Sequence, residues 1–186
     1  MVFGDILRRN TSKFPAKTAI VSGDIRLTFG EFNERVNRLA NMLLKKGLKK
    51  GDRIGALIHN CHQFIEIYFA AAKTGGIFCP YNNHLKQREM KDIIDYSTPG
   101  FLFFDADFGE MVSALKPELA SVGHFIAIGP SGLPFADDYE ALLAKGTSDE
   151  PAVLVLEDDV LSIIFTAGTT GKPKGAMRTH RHLMSD

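Results

Sequence analysis

Residues 53–80 read RIGALIHNCHQFIEIYFAAAKTGGIFCP, and the fold turns on this stretch. Arg53–His59 is an apolar run of strand length. Cys61–Thr74 is a helix pattern that is apolar nearly all round, so both of its sides are expected to be buried. Gly75 and Gly76 stop the helix, and Ile77–Cys79 is a second short strand that Pro80 ends. Strand, helix and strand in this order form a βαβ unit, whose right-handed crossover makes the two strands parallel.

The same alternation extends in both directions. Toward the N-terminus, Thr28-Phe29-Gly30-Glu31 is a capping box, with a threonine hydroxyl for an orphan amide and a glutamate three residues on to reciprocate. The helix it opens carries Phe32, Val36, Leu39, Ala40 and Leu43 on one stripe, and Gly47 closes it. Lys17–Val21 and Ile25–Thr28 are strand patterns around the turn Ser22-Gly23-Asp24, preceded by a short amphipathic helix near Phe3–Arg9. Toward the C-terminus, Lys86–Ser97 reads as a helix with Met90, Ile93 and Ile94 inward, Phe101–Phe104 as a core strand, Phe108–Leu115 as a helix and His124–Ile128 as a strand. Gly129–Pro151 reads as a surface excursion holding one small helix, Tyr139–Lys145, before a last strand at Val160–Thr166. The predicted fold class is α/β: a largely parallel, helix-covered sheet built from βαβ units.

Composition removes several functions. Twenty-two basic residues balance twenty-two acidic ones, whereas a protein that coats nucleic acid or an anionic membrane carries a basic excess. A hydrophobic content of 45% rules out intrinsic disorder. The longest apolar stretch, Phe64–Ala72, is interrupted by Glu66 and is too short to span a bilayer, and the charged N-terminus is no secretory signal. Cys61 and Cys79 sit in no metal-ligand spacing and read as small buried residues. These features predict a reduced, cytoplasmic protein with no nucleic-acid partner and no transmembrane segment. His59 with His62, and His180 with His182, lack a convergent third ligand for a metal. His180 is expected to pack beside the segment that follows the last strand, at the start of a helix capped by Thr179.

That segment carries the chemistry. Thr166-Ala167-Gly168-Thr169-Thr170-Gly171-Lys172-Pro173-Lys174-Gly175 holds three glycines, three threonines, two lysines and no carboxylate. Glycines let backbone amides turn toward an anion, threonine hydroxyls donate to phosphate oxygens or ligate magnesium, and lysines supply charge. The pattern predicts polyphosphate capture. It is not a Walker A loop, because proline follows Gly171-Lys172 and no glycine lies five residues before Gly171. A surface hairpin rich in glycine and threonine is the competing reading, but it requires neither the lysines nor this density of hydroxyls. No G-x-S-x-G elbow or H-E-x-x-H helix is present to support a common hydrolase.

Phe165–Gly175, continuing to Thr179 and His180, resembles the signature phosphate loop of the adenylate-forming enzymes, of the form T-S-G-T-T-G-x-P-K-G. These include acyl-CoA synthetases, peptide-synthetase adenylation domains and firefly-type luciferases. The likeness extends over essentially the whole chain. Leu27–Phe32 resembles the family's early helix-start motif, and Ala72–Pro80 its helix–glycine–strand–proline motif. Pro80-Tyr81-Asn82, with Leu85 following, looks more like the acyl-CoA synthetase branch. Ala167 departs from the serine or threonine often found there and removes one hydroxyl.

The resemblance implies ATP, Mg²⁺ and coenzyme A as cofactor and co-substrates, with a fatty or aryl carboxylic acid activated as its acyl-adenylate. It assigns nucleotide binding to Thr166, Ala167, Gly168, Thr169, Thr170, Gly171, Lys174 and Gly175, and a magnesium contact to Thr166; Lys172 falls at the variable position. It also implies that residues 1–186 are an incomplete N-terminal AMP-binding domain, with the phosphate loop at 166–175, no catalytic residue of its own and the C-terminal domain absent. Such a chain is expected to be inactive alone and is capable of homo-oligomerising through exposed apolar surface. The alternative is a non-catalytic remnant that binds nucleotide weakly or serves as an interaction fragment.

Overall fold

A computed structural model of the chain describes residues 1–166 and 174–185. Helix α1 (Gly4–Lys13) leads into a separate antiparallel hairpin, β1 (Thr18–Ser22) and β2 (Ile25–Thr28). Helix α2 (Phe29–Lys45) starts at the expected capping box: the Glu31 amide donates to Thr28 Oγ1, and the Glu31 carboxylate accepts from the Thr28 amide at 2.8 Å. The central unit follows as β3 (Arg53–Leu57), α3 (His62–Thr74) and β4 (Ile77–Pro80). Gly75 closes α3 at φ 71°, a left-handed conformation that a Cβ would strain.

Then come α4 (Gln87–Ser97), β5 (Phe101–Asp105), α5 (Gly109–Leu115), β6 (His124–Ile128), β7 (Ala136–Asp138) and α6 (Tyr139–Ala144). The described chain closes with β8 (Val160–Thr166), β9 (Lys174–Thr179) and α7 (His180–Ser185). The second sheet has seven strands in the order β7-β6-β5-β3-β4-β8-β9, and every neighbouring pair is parallel except β8 with β9. The fold class is therefore the α/β, largely parallel arrangement that the alternation predicts.

Alternate residues of each buried strand serve opposite faces. Ile54, Ala56, Phe78, Phe101, Phe103 and Ile126 join one core with α1, α2, α3 and α6. Leu57, Cys79, Leu102, Phe104, Phe125 and Ala127 join the other with α4 and α5. Both faces are covered, which is why these strands read as nearly continuous apolar runs.

Several expectations need correction. Residues 129–151 are not merely a surface excursion. Three of them, Ala136–Asp138, add β7 to the sheet edge beside β6, and α6 buries Tyr139, Leu142 and Leu143. Strand β3 ends at Leu57 rather than His59, which leaves His59 exposed. Residues 174–179 form a strand antiparallel to β8, so the flanks of the glycine-rich segment do pair as a hairpin. Cys61 is only half-buried, at the N-terminal end of α3; Cys79 is buried as expected. Thr179 caps α7, its hydroxyl accepting from the His182 amide at 3.3 Å. His180 itself packs against the start of α1, where its Nδ1 accepts from the Phe3 amide at 3.1 Å.

Helix α3 is buried on both sides as predicted, yet it carries two charges inward. Glu66 is fully buried; Arg35 Nε donates to it at 2.6 Å and the Tyr139 hydroxyl at 2.7 Å, while Arg35 also holds Glu140 at 2.7 Å. Lys73 donates to Asn33 and Asn37 at 2.7 Å each and pairs with Glu150 at 2.8 Å. These bonds fasten residues 139–150 onto α2 and α3.

Candidate functional site

In a parallel sheet, the loops after the strands gather at the carboxyl edge, where ligands of open α/β folds bind. Strand β8 delivers Thr166 to that edge, and the antiparallel return brings Lys174 directly opposite it, with Gly175 opposite Phe165. Thr166 and Lys174 are both exposed. Among the described residues, the Thr166 hydroxyl makes only a long 3.5 Å contact with the Lys174 carbonyl. A Cβ at Gly175 would stand 2.7 Å from Ile163, so only glycine lets β9 lie this close to β8. Phe165 anchors the strand end, its ring 6.2 Å from both Tyr81 and Tyr96.

Of the residues assigned to phosphate binding, Thr166, Lys174 and Gly175 thus come together at the carboxyl edge. Ala167, Gly168, Thr169, Thr170 and Gly171, with the variable-position Lys172, lie outside the described residues. Among the described residues, no group of three or more His, Cys, Asp or Glu is placed to hold a metal. Among the described residues, Thr166 offers one neutral hydroxyl oxygen, which suits a magnesium ion that keeps its waters and phosphate ligands.

Two strands away, the sheet presents a feature that the sequence reading missed. His59 does not converge with His62; it pairs with Asp105, the last residue of the adjacent strand β5. One Asp105 oxygen accepts both the His59 backbone amide at 2.5 Å and His59 Nδ1 at 2.7 Å. The imidazole stacks on Phe108 with ring centres 5.0 Å apart. Beside it, Gly55 lets Tyr81 lie across β3, since a Cβ there would meet the Tyr81 ring at 2.7 Å. The Tyr81 hydroxyl bonds Ser97 at 2.7 Å, and burial pushes its pKa far above the ordinary tyrosine value. Sequence offered only a positional hint, a histidine two residues past one strand and an aspartate at the end of another, and nothing that pairs them.

Another cleft, of about 390 Å³ beside α1, includes Lys73, but that ammonium is already taken by Asn33, Asn37 and Glu150. Burial lowers its pKa, opposed by Glu150. Its role is to fasten the chain.

Fold and site together define a doubly covered α/β protein in which Thr166 and Lys174, the two described ends of a glycine- and threonine-rich segment, meet at the carboxyl edge of the sheet. The family model of AMP-binding enzymes matches residues 7–186, and the chain belongs to that family. It is 37% identical over 162 residues to the putative acyl–CoA ligase YdaB of Bacillus subtilis, covering 87% of this chain and 32% of that protein. It is 33% identical over 185 residues to the long-chain-fatty-acid–CoA ligase FadD13 of Mycobacterium tuberculosis, covering 98% of this chain and 36% of that one. The chain therefore spans about a third of the length of these relatives. Among solved structures, the inhibitor-bound N-terminal domain of FACL13 from Mycobacterium tuberculosis superposes with a TM-score of 0.87 at 32% identity, over 96% of this chain and 44% of that one. No helix among the described residues is long and apolar enough to cross a membrane.

Proposed function

We propose that residues 166–175 hold the β- and γ-phosphates of ATP in an enzyme that activates a carboxylic acid and transfers its acyl group to the thiol of coenzyme A. The observation that carries this reading is the pairing of Thr166 with Lys174 across β8 and β9 at the carboxyl edge, in a chain of the AMP-binding family. ATP with Mg²⁺ supplies the phosphoanhydride that activates the acid. Lys174 offers its ammonium to the phosphates, and the Thr166 hydroxyl offers one oxygen to the metal. The main-chain amides of Ala167, Gly168, Thr169, Thr170, Gly171 and Gly175 complete the cradle, stabilising charge on the departing pyrophosphate. Relatives named as ligases of acyl groups and long-chain fatty acids support an acyl acid as substrate.

In this reading residues 1–186 form part of an N-terminal AMP-binding domain. The chain alone grips the triphosphate but does not adenylate, because that step also needs the acid oxygen aligned on the α-phosphate, an orientation worth roughly 7–11 kcal/mol.

The test is calorimetric titration of pyrophosphate and Mg-ATP into the chain. Lys174→Ala is expected to weaken binding ten- to hundredfold, about 1.5–3 kcal/mol for a hydrogen bond to a charged group. Lys172→Ala is expected to change it less than about threefold, as at a solvated position. Equal losses would overturn the assignment of Lys174. Carboxylate-dependent pyrophosphate exchange by the chain, above the level of Lys174→Ala, would overturn its expected inactivity.

A further inference from the structure

Thr166 and Lys174 are carried on a hairpin whose attachment to the rest of the sheet is slight. Strand β8 aligns with β4 at one residue pair, Phe78 with Ser162, and among the described residues β9 has no partner strand on its outer side. A tie at the base of the hairpin supplies a second attachment. There the His180 amide donates to the Asp159 carbonyl at 3.1 Å, and the Arg181 amide to the Glu157 carbonyl at 2.8 Å. These bonds join the residues just before β8 to those just after β9. The residues that lead into α1 clasp both arms, the Phe3 amide through His180 Nδ1 at 3.1 Å and the Met1 ammonium through Glu157. The Phe3 ring in turn stacks on Phe69 of α3, with ring centres 4.9 Å apart. His180 is thus a side chain through which the hairpin base is fastened to the core.

This fastening works in one protonation state of the imidazole. Nδ1 accepts from the Phe3 amide, so the proton of the neutral ring sits on Nε2. The ring is fully buried, and Nε2 has no hydrogen-bond partner among the described residues. A second proton would enter at Nδ1 and set it, now a donor, against the Phe3 N–H, two donors 3.1 Å apart. Three charged groups face the ring: Asp5 from α1, Asp159 from the segment before β8, and Lys50 from between α2 and β3. The carboxylates favour the charged ring, but Arg8 engages Asp5 and Lys50 engages Asp159. Burial outweighs them and keeps the His180 pKa below the ordinary histidine value. The charged ring is therefore stabilised by leaving this place, and the bond to Phe3 is lost with it.

We propose that neutral His180 is a positioning residue for phosphate capture: it ties the base of the β8–β9 hairpin to the start of α1, and protonating it releases the tie and weakens the hold of Thr166 and Lys174 on phosphate. The inference rests on the phosphate-binding reading given above, and it adds a control that lies far from the phosphate itself. The register of β8 with β9 runs unbroken from Ser162 and Arg178 to Thr166 and Lys174, so a shift at the base reaches the far end of the hairpin. That end is about 20 Å from the base, at roughly 3.3 Å per strand residue.

The experiment is NMR on the ¹⁵N-labelled chain from pH 7.5 to 5, following the ring nitrogens of His180 and the amides of 174–179, with and without saturating inorganic pyrophosphate. Coupling is reciprocal, so if protonation weakens pyrophosphate binding three- to tenfold, pyrophosphate lowers the His180 pKa by about 0.5 to 1. Direct attraction of the anion would act in the opposite sense and raise it, and at this separation it is screened by salt. In the free chain the β9 amides are expected to move with the midpoint of the His180 ring, while those of β5 and β6 stay in place. His180→Leu is expected to weaken pyrophosphate at least fivefold at pH 7.5. His180→Asn, whose side-chain oxygen offers the Phe3 amide an acceptor, is expected to restore most of that loss and to remove the titration of β9. Should either variant not fold, the wild-type titration decides. Pyrophosphate that binds at Lys174 but leaves the His180 pKa unchanged or raised would overturn this inference and keep the nucleotide reading, as would β9 amides that do not follow the titration. No binding of pyrophosphate at pH 7.5 would remove both.

Discussion

The two faces of the sheet bury similar apolar strands under very different helices. Against one face, α2, α3 and α6 bring Arg35, Asn37, Glu66, Lys73 and Tyr139 into bonds that reach 73 residues along the chain from Glu66 to Tyr139 and 105 from Arg35 to Glu140. Against the other, α4 and α5 pack Met90, Ile93, Ile94, Val112 and Leu115 in one apolar cluster with residues of β3, β4, β5 and β6. The difference teaches how the chain brings distant segments together. Local βαβ units can be closed by apolar packing alone, whereas the long 129–150 segment is fixed to one geometry by directional bonds. Burying the ions is not in itself a large stabilisation, since desolvation offsets most of the attraction; their removal one at a time is what destabilises.

The sharpest way to break this contrast is Arg35→Met. It leaves Glu66 buried with only Tyr139 as partner and is expected to cost about 3–5 kcal/mol, read as a lower urea midpoint. A loss below about 1 kcal/mol would show that the clamp is not what holds α6.

Met90→Ala tests the apolar face. Met90 is fully buried, and its truncation is expected to cost about 2–4 kcal/mol through lost contact and a cavity. Hydrogen exchange should show this loss around α4 and β5 while protection of α6 stays as in the wild type. Loosening of α6 by the same amount would mean that the faces are not separable.

A smaller effect sharpens the comparison through pH. His180 is buried neutral with Nδ1 accepting from Phe3, and burial lowers its pKa below the ordinary histidine value, opposed by Asp159 and Asp5 and aided by Lys50. The unfolded chain, with its imidazole near pKa 6.5, then binds more protons than the folded one, so this contribution is full above about 6.5 and falls as the pH is lowered through and below that value. Thermal unfolding between pH 7.5 and 5 should show a decline that is reduced in His180→Phe. An unchanged decline in the variant would assign acid sensitivity to other groups.

Much of the fold was legible because its signals are local. The Thr28–Glu31 capping box, the glycine stop at Gly75 and the apolar runs of β3, β5 and β6 each follow from a few adjacent residues. Strand β7 was not legible: Ala136-Asp137-Asp138 has no strand pattern and is a strand only because β6 offers it partners. Strand β9 was hidden in the same way, since Lys174–Thr179 becomes ordered structure through its register with β8. At the site, the composition of 166–175 raised the expectation of an anion, but nothing in sequence joined His59 to Asp105, 46 residues away.

By itself the sequence determined the alternation of the central strands and helices, the helix ends and the glycine- and threonine-rich composition of the segment after β8, because propensity, capping and glycine geometry act over a few residues. Only the tertiary structure decided which histidine receives a carboxylate, that Glu66 and Lys73 are buried and paired, and that Thr166 and His59 share one edge. Burial and pairing are joint properties of segments that meet only when the sheet is assembled, so no local pattern in the chain could carry them.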